Sequence, residues 1–176
     1  MDNRKSGFTA LELLVTMAIA TILLATGVPA IKSYGWNLRM RTTMDMLQTD
    51  MNLARGQAIN HNTQTVICPA IDNSDCSDQS AWQHGWIVFT DMNADQKKQD
   101  GEPLLKHTGP VEFLNIQSSR ARSSVRFFPN GSAPGSNVSI HFCDKRGAEY
   151  AGKIVVSNTG RIRQEPKGIK STAKCP

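Results

Sequence analysis

The sequence predicts an α+β protein in which one long N-terminal helix lies on a mainly antiparallel β-sheet domain. Residues 8 to 31 form an apolar run of 24 positions with one charged side chain, Glu12. An apolar stripe with helical spacing follows, and after Thr63 the chain changes to short β-branched and aromatic runs separated by turn residues. With 176 residues, the chain accommodates one ordinary domain beyond the apolar run. Its mean hydropathy of −0.35 resembles that of a soluble protein and conceals the apolar segment.

Met1 to Gly7 is short and polar, with Arg4 and Lys5, and the apolar run starts abruptly at Phe8. A secretory signal peptide is cut after its apolar region, whereas the break here precedes it, so the run is expected to persist as an anchor. A helix of this length spans about 36 Å, enough to cross a bilayer core with some tilt. Lys and Arg flank it on both sides, so charge alone does not orient it. Tyr34 and Trp36 suit an outer membrane–water interface, and four cysteines suit an oxidising compartment, from which an external C-terminal domain is expected. Gly27 and Pro29 weaken helical hydrogen bonding near the end of the run.

Met40, Met44, Leu47, Met51, Ala54 and Ala58 make one helix seam, expected to pack on the protein's own sheet, with the helix ending near residues 60 to 62. Strands are expected at residues 65–68, 86–90, 111–116, 125–128, 138–142 and 154–157. Asn130-Gly131, Pro134-Gly135, Arg146-Gly147 and Thr159-Gly160 are turns. Of the three possible cysteine pairings, Cys68 with Cys76 and Cys143 with Cys175 is preferred, the first closing a polar loop and the second tying a basic terminus to a strand. Loop-closure entropy makes these worth about 2.5 and about 4 kcal/mol. A metal site is not expected, since no C-x-x-C and no tight Cys and His cluster occurs.

Asp91, Asn93, Asp95 and Glu102 carry the oxygen spacing of a calcium loop, but Gln96 stands where a sharp turn needs glycine, so a solvated hairpin loop is expected. There is no G-x-S-x-G, P-loop or H-E-x-x-H, and His61, His84, His107 and His141 are scattered, so neither catalysis nor a cofactor is expected. Charge is unevenly distributed: residues 43 to 105 hold three basic and nine acidic side chains, residues 106 to 176 twelve and four. That asymmetry suggests a polyanionic partner for the second half, with solubility alone as the alternative. Gly160-Arg161-Ile162-Arg163, followed by Lys167, Lys170 and Lys174, is the most basic segment. In an extended strand Arg161 and Arg163 share a face, and guanidinium forks bind phosphate bidentately. Arg120, Arg122 and Arg126 are further candidates for the patch, and the absence of any aromatic residue after Tyr150 favours phosphate contact over base stacking.

Gly7, Phe8, Thr9, Leu11, Glu12, Leu13 and Leu14, with Pro29 further on, resemble the start of type IV pilins and type II secretion pseudopilins. The resemblance implies a leader at 1–7 cut after Gly7 by a prepilin peptidase, N-methylation of Phe8, a membrane and filament-packing helix at 8–31, and its amphipathic continuation at 32–62. It also implies a β-rich domain at 63–176, and that Glu12 neutralises the terminal amine of a neighbouring pilin. Val66 to Pro69, Cys76, Gly85 to Phe89 with Asp91 and Asn93, Gly101-Glu102 and Val155 to Arg161 are similar to the GspH/FimT family of minor pilins and pseudopilins. That resemblance implies the type IV pilin fold and, for FimT-like members, DNA binding in natural transformation through a Gly-Arg-x-Arg motif, matched here by Gly160, Arg161 and Arg163. A structural minor pilin or pseudopilin that primes or caps a filament without touching DNA is the alternative.

Overall fold

The computed structural model describes residues 8–72, 75–77, 79–119, 122–165 and 175. Two compact units divide the chain, Met1–Arg39 and Met40–Pro176, and a single helix, α1 (Ala10–His61), runs from the first into the second. Thr9 starts it, its hydroxyl accepting the Glu12 N–H at 3.2 Å as an N-cap does. Asn62 ends it at φ +52, with the Thr63 N–H donating to the Ala58 carbonyl at 3.3 Å, the closing bond of a Schellman turn.

Within the first unit the apolar side chains, among them Leu11, Leu14, Ile22, Leu23, Leu24 and Ile31, are exposed. The hydroxyls there turn inward to the helix: Thr16 donates to the Leu13 carbonyl at 3.0 Å, Thr21 to Ala18 at 2.8 Å and Thr26 to Ile22 at 3.1 Å. The helix is continuous through Gly27 and Pro29.

The second unit contains eight strands: β1 (Gln64–Pro69), β2 (Trp86–Asp91), β3 (Leu104–Thr108), β4 (Asn115–Ser118), β5 (Val125–Phe127), β6 (Val138–Cys143), β7 (Gly152–Val156) and β8 (Ile162–Glu165). They form two four-stranded sheets, ordered β3-β2-β1-β5 and β4-β6-β7-β8, with every pairing antiparallel. The seam of Met40, Met44, Leu47, Met51, Ala54 and Ala58 is buried against both. Ile67, Trp86, Val88 and Phe127 come from the first sheet, and Ile116, Ile140, Phe142, Ile154 and Val156 from the second. A smaller cluster of Val66, Cys68, Ala70, Ile87 and Phe89 occupies the other face of the first sheet, with Cys76 against it.

Two strand boundaries differ from the sequence expectation. The expected strand at 111–116 is instead a turn through Glu112 and Phe113, the latter at φ +68, and pairing begins at Asn115. β3 was not expected: its Lys106, His107 and Thr108 look like loop, but an edge strand faces water along much of its length and needs no apolar alternation.

Candidate functional site

The basic segment is the return arm of the β7–β8 hairpin. Ser157 and Arg161 close the turn, the Ser157 N–H donating to the Arg161 carbonyl at 3.0 Å and the Gly160 N–H to the Ser157 carbonyl at 2.8 Å. The Ser157 hydroxyl also accepts the Arg161 N–H at 3.2 Å. Gly160 is buried at φ +77, and a Cβ there would run into the Gly131 carbonyl oxygen. That carbonyl is held on its other side by the Arg55 Nε–H of α1, at 2.9 Å. Gly160 therefore sets the turn and packs the hairpin on the domain. Gly160, expected at the DNA contact, is buried, whereas Arg161 and Arg163 are exposed.

Beyond the turn the side chains alternate. Ile162 packs against the core, Arg163 is exposed, and Arg161 is exposed at the mouth of the turn. Gln164 reaches α1, donating from Nε2 to Asp45 at 2.9 Å, and Glu165 pairs with Lys153 of β7 at 3.0 Å. Both arginines thus stand on the outer face of the second sheet at its β8 edge, and among the described residues neither guanidinium has a partner. Lys167, Lys170 and Lys174 lie outside the described residues. Arg126 is elsewhere, on the edge of the first sheet with its guanidinium 4.8 Å from the Phe128 ring centre.

Disulfides join Cys68 to Cys76 and Cys143 to Cys175, the preferred pairing. The second returns the chain to β6 after the basic segment. In the acidic loop the carboxylates are engaged by the loop's own amides. Asp91 accepts from the Asp95 and Gln96 N–H groups at 3.2 and 3.0 Å, and Glu102 from those of Met92 and Gln99 at 2.8 and 3.0 Å. Gln96 does adopt the left-handed turn, at φ +66. Burial raises the Asp91 pKa, against the lowering effect of these amide bonds. Among the described residues no cluster of three or more His, Cys, Asp or Glu side chains is arranged to hold a metal. His61, His84 and His107 are exposed, while His141 of β6 is half-buried, its pKa lowered by burial and then by Lys153 across the strand pair.

At the N-terminus Gly7 lies outside the described residues, and Phe8 and Glu12 are exposed. Two features went unread in the sequence. Thr9 is an N-cap, signalled by a threonine at the head of an apolar run with glutamate three positions later. Glu12 therefore also sits where a negative charge complements the helix macrodipole. Asp50 is buried, and its Oδ2 accepts from Trp86 Nε1–H at 2.8 Å and Thr108 Oγ1–H at 2.9 Å. Its position three residues after Leu47 and four before Ala54 was the available signal, an acid on an apolar stripe.

Comparison with known proteins points to one family. Residues 43–160 match the family profile described as Type II transport protein GspH, and residues 2–28 match the prokaryotic N-terminal methylation motif. The profile ends at Gly160, just before the two arginines. The type IV minor pilin FimU of Pseudomonas aeruginosa PAO1 is similar in two crystal forms, each 18% identical to this chain. One gives a TM-score of 0.60 over 76% of this chain and 92% of that one, the other 0.56 over 72% and 92%. No curated protein matches the sequence. The methylation motif marks the chain for prepilin peptidase, and its pilin relatives imply other pilins as neighbours. The chain belongs to the GspH family and is a minor pilin or pseudopilin with the type IV pilin fold, anchored in the inner membrane by its apolar helix and assembled into a pilus-type filament.

Proposed function

We propose that this minor pilin binds extracellular DNA through its basic C-terminal segment, for uptake in natural transformation. The observation that carries the reading is the exposure of Arg161 and Arg163 together at the β8 edge, where their guanidinium groups have no partner among the described residues to compete with phosphate. Lys167, Lys170 and Lys174 add longer-range attraction, and contact with backbone phosphates makes binding largely independent of sequence. On this reading the leader, 1–7, is cut after Gly7 and Phe8 is methylated. Residues 8–31 pack in membrane and filament, 32–62 continue the helix, 63–176 form the presenting domain, and Glu12 meets a neighbour's terminal amine.

The test is duplex DNA binding over a salt series, comparing the protein with its Arg161→Ala, Arg163→Ala variant. Two to four phosphate contacts give a log–log slope of about −2 to −4, flattened by about two in the variant. Binding that is absent at low salt, or unchanged in the variant, refutes the reading. The family profile, which stops short of both arginines, favours a second reading: a purely structural subunit that primes or caps the filament. Loss of piliation or secretion in a null strain, with the arginine variant behaving normally, supports that one.

A further inference from the structure

The apolar run ends at Ile31, and its large apolar side chains are exposed, as a segment surrounded by lipid requires. A bilayer adds a polar headgroup layer of about 5 to 8 Å on each side of its hydrocarbon core. The residues of α1 that follow Ile31 therefore stand at headgroup height, and their chemistry decides which lipids they meet. Between Glu12 and Asp45 the sequence carries Lys32, Arg39 and Arg41 and no acidic residue.

Lys32, Trp36 and Arg39 succeed one another at spacings of four and three, so they share one side of the helix. The Arg39 guanidinium lies over the Trp36 ring, 5.3 Å from its centre. Helical side chains lean toward the N-terminus, here toward the membrane, and this contact brings the Arg39 charge back by about one turn. Five residues at 1.5 Å each put Trp36 about 7.5 Å beyond Ile31, inside the headgroup layer. Lys32 and Arg39 are exposed, and Trp36 is half-buried.

Anchoring itself needs only the apolar run, and a tryptophan alone would seat at the interface of any bilayer. A guanidinium stacked on that tryptophan does more. Stacking uses its flat face and leaves the N–H groups of its edge in plane, as the fork that takes two phosphate oxygens. Lys32, one turn nearer the hydrocarbon, adds a second charge on a stem that can lie along apolar surface. With no carboxylate on this stretch to neutralise them, both charges favour an anionic headgroup over a zwitterionic one, whose own ammonium repels them.

We infer that Lys32, Trp36 and Arg39 form a binding site for an anionic phospholipid, with the Arg39 fork on the headgroup phosphate, in the leaflet on the side of the C-terminal domain. The site selects the lipid beside the subunit while it waits in the membrane, and that lipid has to be released when the helix enters a filament.

Full-length protein in phosphatidylcholine nanodiscs containing a minor share of phosphatidylglycerol tests it. One lipid or the other carries acyl chains brominated next to the glycerol, and quenching of Trp36 fluorescence reports which of them lies beside it. Trp82 and Trp86 are buried in the core of the second unit, so Trp36→Phe gives the background. Brominated phosphatidylglycerol should quench as though enriched at least about fivefold over its share, the effect of one cation at an anionic surface. Arg39→Gln should lose most of that enrichment, and Lys32→Gln a smaller part. Arg39→Lys keeps the charge without the fork and should fall clearly below the parent. Both positions are exposed and precede Met40, where the core begins, so the variants should melt like the parent. Quenching by phosphatidylglycerol in mere proportion to its share overturns the inference. Enrichment unchanged in Arg39→Gln, or equal in Arg39→Lys and the parent, also overturns it, the attraction then being that of diffuse surface charge. Absence of enrichment, together with failed filament incorporation of Arg39→Gln, would overturn it in favour of a neighbouring pilin on this side of the helix.

Discussion

Replacing Gly160 by alanine tests how the basic segment is fixed to the domain. The residue has φ +77, where an L-amino acid other than glycine is strained by about 1 kcal/mol. The added Cβ also meets the Gly131 carbonyl, so that carbonyl has to retreat. It cannot retreat freely. Gly131 is itself at φ +74 with Ile59 and Arg55 against it, and its oxygen accepts the Arg55 Nε–H at 2.9 Å. A hydrogen bond to a charged donor contributes about 1.5 to 3 kcal/mol. Gly160→Ala should therefore cost about 3 kcal/mol, or roughly 10 °C in Tm for a domain of this size. Urea or thermal unfolding of a fragment lacking residues 1 to 34 measures it, since every residue of the main core lies at or after Met40. The same mechanism predicts non-additivity: once Arg55→Ala has removed the donor, Gly160→Ala should cost at least 1 kcal/mol less. A loss below 1 kcal/mol, or full additivity with Arg55→Ala, would refute the three-part lock of Arg55, Gly131 and Gly160.

Three other perturbations address separate parts of the molecule. Asp50→Ala strands the buried Trp86 and Thr108 donors and should cost about 2 to 4 kcal/mol in the same unfolding assay, with Asp50→Asn milder because it keeps an acceptor. His141 has its pKa lowered in the folded state, so the native protein binds fewer protons than the unfolded chain just below the ordinary value of 6.5. Its contribution to stability is therefore complete above that value and declines as pH falls through the window beneath it; subtracting the melting curves of His141→Gln from those of the parent between pH 5 and 8 should isolate this slope. Glu12→Gln leaves the Thr9 cap in place, since that cap uses the Glu12 backbone N–H, but removes the charge. Normal membrane insertion with failed incorporation into filaments would locate the function of Glu12 in its charge, and normal incorporation would refute that role.

Much of the fold was legible because periodicity reports burial directly. The six residues of the helix seam are all buried, and each of the six expected strands overlaps an observed one, since a chain that buries one face must repeat at the pitch of its backbone. β3 and the start of β4 escaped because an edge strand and a turn at φ +68 owe their conformation to neighbours distant in sequence. The division into two sheets was likewise invisible, as pairing partners leave no local trace. At the candidate site, alternation correctly placed Arg161 and Arg163 on one side, but Gly160 read as part of the motif when its conformation answers to Gly131, 29 residues earlier.

The bond from Cys143 to Cys175 has a consequence for a surface-displayed protein rich in trypsin-like cleavage sites. Arg161, Arg163, Lys167, Lys170 and Lys174 all lie between the two cysteines. A protease in the surroundings that nicks the chain once after any of them opens a loop but releases nothing, because the downstream piece remains covalently attached to β6. A single cut after any of these five residues thereby detaches no positive charge from the protein.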